Sequence, residues 1–335
     1  MNEASPPVKR GLSAAEYAEG VIAGDRVVLA RAITLVESTS VAHAPLAHQL
    51  LERLAPHTGG SHRIGITGPP GVGKSTLIDT LGTLLTGRGH EVAVLAVDPT
   101  SARTGGSLLG DKTRMHRLAV DPHAFIRPSP TAGTLGGVTR KTRESILVCE
   151  AAGFDVVMVE TVGVGQSETA VHSMVDCFVV LQLPGAGDDL QGIKKGIIEL
   201  ADLIAITKAD GDNRARAERA RVDSQRALEL LAAGEDGWKV PVLTLSSKTG
   251  DGIEQLWETV TRHRETGHAS GAFARRRSSQ ARDWMHALLD EQLRTRFLAR
   301  PGVAEQLADL EQRVVRGELA PEIAVERLLR GGSEH

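Results

Sequence analysis

Gly68-Pro69-Pro70-Gly71-Val72-Gly73-Lys74-Ser75 is the stretch that decides the architecture of this chain. It matches G-x-x-x-x-G-K-[ST] in full. It stands directly after the apolar run His62–Thr67 and opens a helical pattern carrying Thr76, Leu77, Ile78 and Leu81. Strand, glycine-rich turn and helix, in that order, are the context in which this motif binds phosphate. The glycines let the backbone curl so that its N–H groups aim at phosphate oxygens, and the helix N-terminus adds its dipole. Lys74 is expected to reach the β- and γ-phosphates of a nucleotide, and the Ser75 hydroxyl to ligate Mg²⁺. Gly68, Pro69, Pro70, Gly71, Val72, Gly73 and Thr76 form the rest of the cradle.

Working outward, five further runs read as strands: Glu91–Val97, Asp155–Glu160, Asp176–Leu183, Leu203–Thr207 and Val242–Ser246. They are near-continuous in Val, Ile and Leu rather than alternating, the mark of parallel strands covered on both faces. Separated by longer helical stretches, they predict an α/β fold with a doubly wound, mostly parallel sheet over residues 59–265. Residues 1–58 read as a helical N-terminal extension, with Val21, Leu29, Ile33 and Val36 at helical spacing. Residues 266–335 read as a helical C-terminal segment. With a stripe of Trp284, Leu288, Leu289, Leu293 and Phe297, it is too thin for a core of its own and is expected to pack on the main domain or on a partner chain, which reads as a dimerisation segment and the chain as a homodimer.

Composition narrows the partners. The 335 residues carry a formal net charge of −3, so no basic field draws in nucleic acid, and at 3% aromatics there are few rings for base stacking. No apolar run approaches the ~20 residues of a membrane span, and the N-terminus has no apolar signal region; a cytoplasmic location is expected. Cys149 and Cys177 sit in apolar segments with no C-x-x-C pairing and read as buried, inert thiols.

Four more stretches carry chemistry. Glu160, closing Asp155-Val-Val-Met-Val-Glu160-Thr161-Val162-Gly163, is placed to hold Mg²⁺ through water, with the Gly163 N–H sensing the γ-phosphate. Thr207-Lys208-Ala209-Asp210 resembles the guanine-reading [NT]-K-x-D motif. Asp210 accepts from guanine N1 and N2, where adenine has no donors, so the expected nucleotides are GTP and GDP. Ser246-Ser247-Lys248 then fits the backbone loop over the guanine edge. Asp98–Arg114 and Leu183–Lys194 are polar, Gly-rich stretches after strands and read as switch segments. Asp98 is expected near Mg²⁺ or the attacking water, with Asp111 a second candidate. A catalytic glutamine or cis arginine finger is not evident; Arg103 and Arg114 are the finger candidates, and hydrolysis should be slow without one.

Together these residues resemble the MeaB/ArgK-type GTPases of the G3E class, the family that includes the methylmalonic aciduria type A protein. The likeness is carried by 68–75, 98–114, Glu160–Glu168, 183–194 and the helical stretch Asp25–Glu37. It implies a Mg²⁺-dependent, homodimeric GTPase. It also implies a chaperone role toward an adenosylcobalamin-dependent acyl-CoA mutase, methylmalonyl-CoA mutase first, gating cofactor loading and reactivation. It makes 98–114, 161–168 and 183–194 three switch segments, and points to Lys74, Asp98, Asp111, Glu160 and Lys194 as functional side chains. The role of Lys194 rests on the resemblance alone. Rival readings are a G3E metallochaperone and a kinase linked to basic amino-acid transport.

Overall fold

The apolar runs become seven parallel strands, a sheet of the order β3-β2-β4-β1-β5-β6-β7 among the described residues. This is a computed structural model, and it describes residues 11–97, 114–128, 135–161, 167–185, 195–229 and 237–331. The strands are β1 His62–Thr67, β2 Val92–Val97, β3 Ala124–Arg127, β4 Val156–Thr161, β5 Cys177–Gln182, β6 Leu203–Ile206 and β7 Val242–Thr244. Six of them fall within a few residues of the runs legible in the sequence. β3 was not foreseen: four residues at the sheet edge, Ala-Phe-Ile-Arg, are too short to show a period.

Alternate residues of each strand face opposite ways, and both faces are covered. Ala93, Leu95, Val157, Val159, Phe178, Val180, Ile204 and Ile206 enter one core. Helices α1 (Ala14–Ile22), α2 (Arg26–Val36), α3 (Ala44–Leu54), α5 (Leu135–Ala151) and α8 (Arg214–Glu229) contribute to that same core. Ile64, Ile66, Val92, Val94, Met158, Val179, Leu181 and Ala205 enter the other, beneath α4 (Lys74–Thr86) and α9 (Ile253–Ala269). The doubly wound prediction therefore holds. The short helices α6 (Ser167–His172) and α7 (Lys195–Glu199) follow β4 and β5.

The N-terminal helices begin with strong local signals. Ser13 and Glu16 form a capping box at α1, and Asp25 accepts from Val27 N (2.8 Å) and Val28 N (3.0 Å) at α2. Leu29, Ile33, Leu50 and Leu54, all at most 1% exposed, then join the core that holds Val157 and Phe178. Two buried carboxylates bind distant parts of the chain. Glu37 at the end of α2 pairs with Arg127 of β3. Glu150 in α5 takes a two-pronged bond from Arg63, Nε and Nη2 each at 2.8 Å, together with Gly59 N at 2.8 Å and the Ser61 hydroxyl.

The chain divides into two compact units, one up to Ala274 and one from Arg275 onward. In the second, α11 (Val303–Val315) and α12 (Pro321–Gly331) enclose a small core of Val303, Leu310, Ala324 and Leu328, flanked by Phe297, Leu307 and Val314. Sequence reasoning denied this segment a core. Two helices joined by a short turn supply one by facing their apolar stripes toward each other.

Burial alone would raise the Glu150 carboxyl, but the Arg63 guanidinium and the Ser61 and Gly59 donors outweigh it and hold the group below the ordinary carboxylate range. Its charged form therefore stabilises the fold above the unfolded-state value, and that contribution fades as pH falls through the lowered native value. Glu150→Gln should cost about 3 kcal/mol at neutral pH, since it leaves Arg63 largely buried without its counter-charge. Urea unfolding against pH should show the wild-type advantage narrowing in acid, below roughly pH 4.

Candidate functional site

The carboxyl ends of β1, β4, β5 and β6 meet at the point where the strand order runs outward in both directions from β1, the place where open α/β sheets bind ligands. The Gly68–Ser75 loop leaves β1 here. Gly68 takes φ 151°, and a Cβ added to it would lie 2.7 Å from the Leu181 carbonyl of the neighbouring strand, so only glycine lets the loop start this close to β5. Gly73, at φ 105°, turns the chain into α4.

The loop's carbonyls are held by the protein itself. Lys74 Nζ donates to Gly68 O at 2.8 Å and to Pro69 O at 3.3 Å, Val72 N donates to Pro69 O at 3.2 Å, and Thr207 Oγ1 donates to Val72 O at 2.8 Å. The last bond explains the first position of Thr207-Lys208-Ala209-Asp210: the side chain there must bond a loop carbonyl, and a threonine hydroxyl does so. Thr207 N and Oγ1 also bond Gln182 O, at 2.8 and 3.2 Å, which fastens the end of β6 to the end of β5.

Lys74 and Ser75 are both buried. Burial pushes the Lys74 ammonium down; the nearby Glu160 and Glu168 carboxylates pull it back up, and Arg114 pushes it down again. Ser75 Oγ donates to Glu160 Oε1 at 2.8 Å, bringing together two of the predicted metal-site oxygens, one from each of two neighbouring chain crossings. Hydroxyl and carboxylate oxygens are the hard donors that Mg²⁺ takes. Thr67 and Thr161 hydroxyls, 2.8 Å apart, close the gap between β1 and β4 immediately behind them.

Across the site, Asp210 and Ser246 come together. Ser246 Oγ donates to Asp210 Oδ2 at 2.6 Å, and Ala209 N to Leu245 O at 3.1 Å, so the loops after β6 and β7 share one hydrogen-bonded corner. This leaves the other Asp210 oxygen for a ligand's N–H pair. Lys208, at φ 55°, is exposed, as are Lys248 and Thr76. Ser247 is half-buried, and its carbonyl accepts from Thr80 Oγ1 at 3.2 Å. Asp98, Asp111, Gly163 and Lys194 lie outside the described residues, as does Arg103; Arg114 is exposed.

Sequence reasoning gave no role to Glu168, Thr80, Arg117 or Asp79. Glu168, in the first turn of α6, is 5% exposed, its Oε2 has no hydrogen-bond partner among the described residues, and its charge reaches Lys74. Asp79, one turn into α4, accepts from Arg117 N, Leu118 N and Arg117 Nε at 3.1, 2.9 and 3.0 Å. Nothing in the sequence around either acid marks it: Ser75, Gly82 and Thr83 share the helical face of Asp79, and His172 that of Glu168.

The chain is similar to known proteins. A solved structure titled LAO/AO transport system kinase matches with a TM-score of 0.77 at 38% identity, covering 97% of this chain and 99% of its own. A probable GTPase of Mycobacterium tuberculosis is 55% identical over 312 residues, 93% of this chain and 93% of the relative. The mitochondrial methylmalonic aciduria type A homolog of Mus musculus is 47% identical over 321 residues, 93% of this chain and 77% of the relative. The sequence model of the family described as "Methylmalonyl Co-A mutase-associated GTPase MeaB" matches residues 29–302. With the loop, the Glu160 strand end and the Asp210–Ser246 corner all inside that span, the chain belongs to the MeaB family of G3E-type GTPases.

Proposed function

We propose that this GTPase is a Mg²⁺-dependent chaperone for an adenosylcobalamin-dependent acyl-CoA mutase, with methylmalonyl-CoA mutase the leading client. The bond from Ser75 to Glu160 carries the reading. Whatever occupies Ser75 acts directly on the last residues of β4, and so on the segment that follows it. The site is thus built to report its nucleotide as well as to hydrolyse it. The description of the matching family, a mutase-associated GTPase, supplies the client.

In this reading Lys74 neutralises the β- and γ-phosphates. Ser75, with Asp98 and Glu160 behind it, would hold Mg²⁺, which when bound shields the phosphate charge. Asp210 accepts from the guanine N1 and N2 donors, with Ser246 steering it. The segments 98–114, 161–168 and 183–194 follow β2, β4 and β5, whose ends lie at the site, and act as switches; Lys194 couples the third to the client. Basal hydrolysis is slow because the described residues present no completed transition-state clamp, and the mutase completes it.

The chain acts in the cytoplasm as a homodimer. Among the described residues, no helix is long and apolar enough to cross a membrane. Met285, Leu289 and Leu293 recur every four residues along α10 (Ala272–Leu298) and are 58%, 50% and 58% exposed, an apolar stripe suited to a second copy. Light scattering should give twice the chain mass at micromolar concentration; a single chain mass would remove the dimer.

The direct test of function is GTP turnover with and without holo-methylmalonyl-CoA mutase. At least about a tenfold acceleration is expected from completing a transition-state clamp. Equal rates would sink the client assignment. Asp210→Asn should exchange guanine preference for xanthine, since the amide now donates where the base presents O2; calorimetry with GDP and XDP reads this. Tight ATP binding without GTP binding would instead favour the transport-kinase reading.

A further inference from the structure

The loop that meets the guanine edge has a support that the motifs do not contain. Its ends are fixed by backbone bonds: Leu245 N to Ile206 O and Ser246 N to Asp251 O, both 2.9 Å, and Gly250 N to Ser246 O, also 2.9 Å. Between them, the carbonyl of Ser247 is reached from the phosphate-loop helix by Thr80 Oγ1 at 3.2 Å. The same hydroxyl is 2.9 Å from Thr76 O, the carbonyl one turn back in α4, and it accepts from Arg117 Nη2 at 3.0 Å.

A hydroxyl has one proton and two lone pairs. Arg117 fills a lone pair, so the single proton is divided between Thr76 O and Ser247 O. Thr76 O is placed to accept the ordinary helical N–H bond already. Ser247 O gains more from that proton. Arg117 is itself held in place. Its Nε and backbone N are both on Asp79, and the next residue, Leu118, is fully buried against α4, where a Cβ on Gly82 would lie 2.6 Å from its side chain. The acid is buried, the guanidinium is oriented by it, and the hydroxyl is oriented by the guanidinium.

We propose that Thr80, set by Arg117 and Asp79, is a specificity-positioning residue that holds the Ser247 carbonyl and thereby the backbone of 246–248 against the guanine edge. The proposal rests on the guanine reading of Asp210 and Ser246–Lys248. A peptide unit is rigid, so fixing the Ser247 carbonyl fixes the N–H of Lys248 on the other side of the same plane. A base carbonyl is recognised by such N–H groups, and their aim decides the strength of the bond.

Calorimetry with GDP and ADP on Thr80→Val, Thr80→Ser and Arg117→Gln tests this, with melting temperatures taken in parallel. Thr80→Val keeps the shape and removes the hydroxyl. It should weaken GDP about three- to tenfold, the worth of one net hydrogen bond, while leaving the weak ADP affinity unchanged. Thr80→Ser should restore the wild-type ratio. Arg117→Gln, at an exposed position, should move the GDP-to-ADP ratio in the same direction. An unchanged ratio in both Thr80→Val and Arg117→Gln overturns the proposal. Equal loss of GDP and ADP also overturns it, since that reports the phosphate loop instead. A wild-type chain that fails to prefer GDP over ADP would bring down the guanine reading itself, and the proposal with it.

Discussion

A loop that is to offer its N–H groups to phosphate must have its carbonyl oxygens held elsewhere, because each backbone group needs a partner. Here the partners come from two directions. Lys74 folds back on Gly68 and Pro69 from within the loop, and Thr207 reaches Val72 from the end of β6. The Thr207 bond makes the Gly68–Ser75 loop and the Thr207–Asp210 segment one object, although Val72 and Thr207 stand 135 residues apart in sequence. The parallel sheet makes this possible. Every strand ends on the same edge, so β1 and β6, with β5 between them, deliver their last residues to one place.

The same economy runs through the helix that follows. One face of α4 packs Leu77, Ile78, Leu81 and Leu85 onto the sheet. Its first two turns carry Lys74, Ser75, Asp79 and Thr80, which contact the loop, β4, the chain after residue 113, and the loop after β7 respectively. A displacement of α4 is therefore felt at four points at once. Close packing in the core beneath makes such a displacement a discrete repacking rather than a gradual deformation.

How much of this is legible in the sequence follows from the range of each interaction. The sheet was legible because burial on both faces leaves near-continuous runs such as Val156–Val159, and the loop because its glycines are demanded by local geometry. Asp210 and Ser246 were legible because each follows a strand whose end is known once the sheet is. β3 escaped, being four edge residues. The Arg63–Glu150 pair spans 87 residues and the Arg117–Asp79 pair 38, and neither residue type at either position announces its partner. Threonine at 207 fits the [NT] position of the motif, and only the distance to Val72 O shows why a hydroxyl serves there.

The N-terminal helices show where sequence periodicity stops short. Their spacing reveals amphipathic helices, but a stripe does not say what it faces. In the structure, Leu29, Ile33 and Leu50 share a core with Val157 and Phe178, and Glu37 reaches β3 through Arg127. The helical extension and the sheet are thus packed as one hydrophobic body, and the strand that Arg127 closes is joined to β2, at whose end residues 98–113 begin. An event at the phosphate edge that shifts β2 would be opposed by the packing of α2, so the extension adds stiffness to the sheet that the site requires to keep Ser75 and Glu160 in register.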